Sequence, residues 1–314
     1  MKKIFITGGA GYIGTSLIPL LLEKKYKVTV YDSLIFNNGD KLIPFIDNPN
    51  FSFVKGDIRD EKLLSSHIKD QDVVIHLAAL VGFPICREKG EIESYDVNAK
   101  GTEIIINNMN ESQYLLFGST GSNYGEVLDI CTEETPLNPL SIYGKSKTLA
   151  EKLVMNRKNS TAFRFATAFG VSPRLRLDLL VNDLTHKAIT EGYAVVYESH
   201  FMRTFIHVKD IANVFLFAIE NSNQMKDNVY NVGSDNMNFS KKEVCEIIKK
   251  ELPNCYFNYA DVGEDADKRN YVVSYEKIKK LGFKTTITLE EGIKDLIKVS
   301  PLIKTMSQYY NVIK

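Results

Sequence analysis

The sequence lacks a surplus of charge. Across its 314 residues Lys and Arg number 39 and Asp and Glu number 39, so the formal net charge is zero. That balance argues against a nucleic-acid partner, whose phosphates demand an excess of cations. It also argues against an electrostatic membrane anchor. A small anionic ligand stays open, because a few local arginines are enough to meet one. Cysteine is scarce: Cys86, Cys131, Cys245 and Cys255 form no CxxC pair, and none has a histidine at zinc-ligand spacing. The expectation is four reduced thiols in a cytoplasmic protein without a metal. No apolar run reaches the roughly 18–20 residues of a membrane span. The run Ile4-Phe5-Ile6 breaks at once into Thr7-Gly8-Gly9-Ala10-Gly11, with no small-residue cleavage site, so a mature cytosolic start is expected. There is no internal repeat and no low-complexity tract.

What is present is an alternation. Ile4-Phe5-Ile6, Lys27 to Tyr31, Phe51 to Val54, Asp72 to Leu77, Gln113 to Phe117 and Ser160 to Phe165 read as strands. The run Asp72 to Leu77 has no period of two, which suits a parallel strand covered on both faces. Helical stretches separate these strands, the first from about Tyr12 to Glu23. The pattern predicts βαβ units and a Rossmann-type, doubly wound α/β sheet. Pro19 inside the first helix is expected to kink it rather than end it, because Leu17 to Leu22 stay apolar. After about Gly170 the alternation weakens and loops lengthen, at Val171 to Asp178, Asn231 to Ser240 and Ala260 to Asn270. Amphipathic helices are predicted at Ser240–Leu252 and Leu289–Val299. The expected organisation is a dinucleotide-binding domain over residues 1–170, with a return at about 203–229, and a smaller α+β substrate domain over 171–314.

Thr7-Gly8-Gly9-Ala10-Gly11-Tyr12-Ile13-Gly14 follows the first strand and opens the first helix. Glycines here allow a tight turn, close approach of backbone to a pyrophosphate and packing of helix on strand. The diphosphate would sit at the positive helix end. Asp32 closes the second strand, 18 residues past Gly14. A carboxylate there accepts from ribose hydroxyls and repels a 2′-phosphate, which favours NAD over NADP. Asp57, with Ile58 beside it, follows the third strand and is a candidate acceptor for the adenine amino group; the plainer alternative is a helix N-cap region.

At the end of the fifth strand stand Ser119, Thr120 and Ser122. Tyr143-Gly144-Lys145-Ser146-Lys147 begins a later helix and places Tyr143 and Lys147 one turn apart on one face. A tyrosine with a pKa near 10 is a poor base at neutral pH. Stabilising its phenolate enough takes about 4 kcal/mol, which an ammonium and a positive nicotinamide in a dry site can supply.

With these motifs the chain resembles the extended short-chain dehydrogenase/reductases, specifically the nucleotide-sugar epimerases and dehydratases. The resemblance runs nearly end to end, through TGGAGYIG at 7–14, GDIRD at 56–60, HLAAL at 76–80, Asn98, STGSNYG at 119–125, YGKSK at 143–147, RTFIHVKD at 203–210, YNVG at 230–233 and DKRNY at 267–271. It implies that Tyr143 is the general base, that Lys147 holds the cofactor ribose and lowers the tyrosine pKa, and that Thr120 hydrogen-bonds the reacting sugar hydroxyl. Hydride would pass from sugar C4 to NAD. Gly8, Gly11, Tyr12, Ile13, Gly14, Asp32, Asp57, Ile58, Leu77, Ala78 and Ala79 would line the cofactor with Tyr143 and Lys147, Leu80 would follow them, and Asn98 would support the region after the fourth strand. Arg203 and Arg269 match positions that bind the substrate diphosphate, and Asn182 would add a hydrogen bond. A homodimer through the tyrosine-bearing helix and the one before it is the family's habit.

Within the resemblance, the 4,6-dehydratase pattern carries Asp-Glu after the threonine, whereas this chain has Gly121 and Ser122, which do not titrate near neutrality. Dehydration is therefore not expected, and the Glu of the decarboxylases is also missing. Cys131 and His207 match the Cys and His of 3,5-epimerase/reductases only loosely. Oxidation at C4 remains. The segments 80–86, 172–183 and 263–269 are similar to the GDP-heptose 4-dehydrogenases of capsule biosynthesis; a UDP-glucose-type 4-epimerase is the alternative, and a non-catalytic dinucleotide sensor a third reading. Arg174 and Arg176 are nearby candidates for the substrate diphosphate, the plainer alternative being solvated loop cations; His76 and His207 are expected to be satisfied core histidines, and Cys86 a small buried thiol, with a place facing the sugar pocket the alternative.

Overall fold

The structure, a computed structural model, describes residues 1–260, 270–303 and 309–311. Its centre is a parallel sheet of β1 (Lys3–Thr7), β2 (Lys27–Asp32), β3 (Phe51–Lys55), β4 (Val73–His76), β5 (Tyr114–Thr120), β7 (Ser160–Phe165) and β11 (Asn228–Val232), in the order β11-β7-β5-β4-β1-β2-β3. The intervening strands are β6 (Glu126–Cys131), β8 (Thr167–Phe169), β9 (Tyr193–Tyr197) and β10 (Met202–His207); β12 (Asn238–Ser240), β13 (Tyr256–Ala260) and β14 (Asn270–Val273) follow. All four residues of β4 and all six of β7 are buried. These strands lie between two layers of helices, which is why their apolar runs do not alternate.

The helices used below are α1 (Gly14–Glu23), α2 (Glu61–Ile68), α3 (Phe83–Tyr95), α4 (Gly101–Asn107), α5 (Ile142–Met155), α6 (Leu180–Thr190) and α7 (Val208–Glu220). α1 starts two residues later than the sequence suggests and continues past Pro19 to Glu23. Winding runs outward from β1 to β3 on one side and from β4 to β11 on the other. The crevice at this reversal, at the carboxyl ends of β1 and β4, is where such sheets bind ligands.

The chain returns to the sheet through α7, which packs on α1, and β11. β10, at the start of the expected return, instead pairs with β8 and β12 in a second, three-stranded sheet. β12 lies in the expected loop at 231–240. β6 also leaves the first half of the chain to pair with β14. A separate apolar cluster, including Phe169, Val181, Phe205, Val244, Ile248 and Ile293, unites α6 with the helices Lys241–Glu251 and Leu289–Val299. Both of those helices open with capping boxes, Ser240 with Glu243 and Thr288 with Glu291. No helix among the described residues is long and apolar enough to cross a membrane.

Candidate active site

A cavity of about 580 Å³ lies at the crevice and extends over the carboxyl ends of β1, β2, β4 and β5. At one end it meets the glycine turn. Gly8 has φ +73°, and a Cβ there would come within 2.5 Å of the Ala78 backbone nitrogen. A Cβ on Gly14 would come within 2.3 Å of the Gly9 carbonyl oxygen. Only glycine lets these backbones approach so closely. Tyr12, Ile13 and Gly14 bring the N-terminal end of α1 to the cavity wall.

Asp32 accepts the Ala10 N–H (3.0 Å) and the Leu34 N–H (2.9 Å) at the end of β2. Burial raises its carboxyl pKa, while the two N–H donors and Arg174 oppose the rise. Asp57 lines the same end of the cavity but is held by Arg59, through its backbone N–H at 2.9 Å and its guanidinium at 2.7 and 3.0 Å. These bonds to Arg59 hold its pKa below the ordinary value. The α2 N-cap is Asp60, not Asp57. Ile58, Leu77, Ala78 and Ala79 complete the wall.

Asn98 sits in a π-helical segment, Asp96–Lys100, between α3 and α4. Its amide accepts the Leu80 N–H (2.7 Å) and donates to the Leu80 carbonyl (3.1 Å) and Ser146 Oγ (3.0 Å). The segment following β4 is thereby tied to α5. His76 is a satisfied core histidine: its ring nitrogens bond Thr7 Oγ1 (2.7 Å) and Thr102 Oγ1 (2.9 Å), and burial holds its pKa well down.

The other end of the cavity gathers Thr120, Ser122, Tyr143 and Lys147. α5 starts at an N-cap, Ser141, whose Oγ accepts the Gly144 N–H (3.0 Å), and this sets where Tyr143 faces. Thr120 is the last residue of β5, and its Oγ1 accepts the Ser122 N–H (3.1 Å). Lys147 is buried, with Nζ 3.9 Å from the Phe117 ring centroid. Burial lowers its pKa to about 7, against support for the charge from Glu151 and Cys86. Glu151, one turn further along α5, is buried and paired with Arg164 at 2.7 Å; it also accepts from Ser119 (2.5 Å) and Asn123 (3.0 Å). Cys86 is buried with Leu80 and Ile85, and its thiol donates to the Leu80 carbonyl (3.4 Å).

The substrate-side expectations are corrected in part. Asn182 is fully buried and does not line the cavity. Its amide accepts the Gly170 N–H (2.9 Å) and donates to the Gly170 and Arg176 carbonyls, so it shapes the 170–176 loop. Arg174 and Arg176 are buried cavity residues, not solvated cations. The loop folds back onto α1, and Arg176 pairs with Asp178 at 2.6 Å. Arg203, on β10, is buried and lines the cavity. Arg269 lies outside the described residues. His207 is a core histidine as expected but only half satisfied: one ring nitrogen accepts the Lys209 N–H (3.3 Å) and the other has no partner among the described residues; burial lowers its pKa to about 4. Asn38 and Asn311 also line the cavity and carried no sequence signal.

A dinucleotide-type crevice facing a Thr-Tyr-Lys cluster defines an enzyme class. The chain belongs to the NAD dependent epimerase/dehydratase family, whose model matches residues 4–233. It is 30% identical over 275 residues to a UDP-glucose 4-epimerase of Halalkalibacterium halodurans, covering 79% of each chain. It is 28% identical to a UDP-glucose 4-epimerase of Lactobacillus helveticus, covering 79% of this chain and 81% of that one. Among solved structures it resembles dTDP-glucose 4,6-dehydratase of Bacillus anthracis in complex with NAD, with 26% identity, a TM-score of 0.81 and coverage of 95% and 96%.

Proposed function

We propose that this chain binds NAD and uses it to oxidise C4 of a nucleotide-activated sugar. The observation that carries the reading is the convergence of Thr120, Tyr143 and Lys147 on one end of a cavity whose other end is the glycine turn with Asp32. The residues present fit the dinucleotide. Gly8 leaves a cradle that a Cβ would fill, and Asn38 Oδ1 is buried in the wall with no partner among the described residues. When bound, NAD supplies the two-electron acceptor for C4.

Tyr143 takes the proton of the C4 hydroxyl, and Thr120 Oγ1 orients that hydroxyl. Lys147 holds the cofactor ribose and, while charged, favours the Tyr143 phenolate. Arg203 meets the substrate diphosphate, and Arg269 is proposed to join it. Gly121 and Ser122 offer no acid or base for loss of water, so the 4-keto sugar is either reduced again or released.

Reduction on the opposite face makes the protein a 4-epimerase, and the two UDP-glucose 4-epimerases at 28% and 30% identity support that outcome. Release makes it a 4-dehydrogenase. The likeness of 80–86, 172–183 and 263–269 to the GDP-heptose enzymes supports that second outcome. Incubation with UDP-hexoses, GDP-mannose and GDP-heptose, followed at C4 by NMR, separates them. Inversion identifies the epimerase, a ketone the dehydrogenase, and no change at C4 in any substrate contradicts the proposal.

A further inference from the structure

Three of the buried arginines of this fold, Arg164, Arg174 and Arg176, differ in what neutralises them. Arg164 pairs with Glu151, and Arg176 pairs with Asp178. Arg174, 2% exposed, bonds only neutral acceptors among the described residues: the Leu175 carbonyl (3.1 Å), the Tyr310 carbonyl (3.4 Å) and Asn311 Oδ1 (3.0 Å). A guanidinium carries five N–H donors, so this set leaves capacity unused. Burial, and Arg176 nearby, lower its pKa to about 10, although Asp178 and Asp32 act at longer range to hold the charge. A desolvated cation with no anion bonded to it is costly, and an incoming anion relieves that cost.

The location of the guanidinium indicates which anion. The 172–174 segment is stitched to the glycine turn: Ser172 Oγ donates to the Tyr12 carbonyl (2.7 Å), the Arg174 N–H donates to Thr15 Oγ1 (3.3 Å), and that hydroxyl donates to the Gly11 carbonyl (2.9 Å). The Arg174 side chain lies 5.3 Å from the Phe36 ring centroid, beyond the end of β2, and lines the cavity. Asn311 lines it too and donates to the Val81 carbonyl (3.4 Å), while the Leu177 N–H donates to the Tyr309 carbonyl (2.8 Å). Residues 309–311 thus brace the Arg174 loop over the turn.

We infer that Arg174 is a ligand of the cofactor diphosphate, braced in place by Tyr310 and Asn311 from the far end of the chain. The inference rests on the NAD-binding reading above. It adds a side-chain cation to a site otherwise built from backbone and a helix end, and it makes cofactor retention depend on the docked 309–311 segment.

Calorimetric titration of the nucleotide-free protein with NAD, ADP and adenosine tests it. Arg174→Met should weaken NAD and ADP about ten- to a hundredfold, the worth of a charged hydrogen bond, and leave adenosine as in the wild type. Asn311→Ala should weaken NAD and ADP in the same direction by a smaller factor. Unchanged affinity for NAD and ADP in Arg174→Met, or an equal loss for adenosine, overturns the inference. Should Arg174→Met fail to fold, as read by circular dichroism, Asn311→Ala decides: unchanged NAD and ADP affinity there overturns it. A wild-type protein that binds neither NAD nor ADP contradicts the cofactor reading itself, which is a separate result.

Discussion

At the residue scale, Lys147 carries the sharpest electrostatic statement. Burial takes its pKa from 10.5 to about 7. Between those values the unfolded chain keeps a proton that the folded chain has released, so this group's contribution to stability rises with pH across that window. Below it both states are charged and the burial cost is fully felt. Lys147→Met should therefore raise the nucleotide-free melting temperature near neutral pH and flatten its rise toward pH about 10, while abolishing turnover. A variant with the same pH slope as the wild type contradicts this assignment. Legibility also divides at this scale. Tyr143, Lys147, Thr120 and Asp32 were readable because spacing along one helix or at a strand end fixes where they face. The burial of Asn182, Arg174 and Arg176 was not legible because the burial of a polar side chain in a loop is decided by what the loop folds onto, here α1 and residues 309–311. Local sequence carries no trace of that.

At the scale of elements, a buried charge pair, Glu151 with Arg164, ties α5 to the sheet. Glu151→Gln leaves Arg164 in the core without its counter-ion, and should cost about 3 kcal/mol of unfolding free energy in urea. The double variant Glu151→Leu with Arg164→Met should recover much of that loss, since no charge is then stranded. A second such device is the π-helical segment carrying Asn98. Asn98→Ala leaves the buried Leu80 N–H without its partner and the Leu80 carbonyl with only the Cys86 thiol, and should weaken NAD binding, read by titration, by about tenfold. Equal affinity would show that the 78–80 segment holds its shape unaided. The parallel strands were legible as unbroken apolar runs, because both their faces are covered. β12 was not legible, since three residues pairing with β10 leave no periodic pattern, and the exchange of β6 to β14 depends on contacts distant in sequence.

At the scale of the molecule, the zero net charge does not prevent Arg174, Arg176 and Arg203 from converging on one cavity, among carboxylates that include Asp32 and Asp178. We propose a homodimer formed through α5 and the helical run before it, α3 continued through the π-helical segment into α4; Leu149 on α5 and Ile92 on α3 are exposed. Light scattering behind gel filtration should give a dimer for the wild type and a monomer for Ile92→Glu with Leu149→Glu; a monomeric wild type contradicts it. The central claim, that the cavity oxidises C4, has a more direct test. A UDP-hexose or GDP-heptose deuterated at C4 is mixed with NAD-loaded protein, quenched, and the dinucleotide is analysed by mass spectrometry. The account predicts deuterium on the dinucleotide in the wild type and none with Tyr143→Phe, although that variant still binds NAD. Deuterium transfer undiminished in Tyr143→Phe, or no transfer in the wild type from any of these sugars, would contradict it.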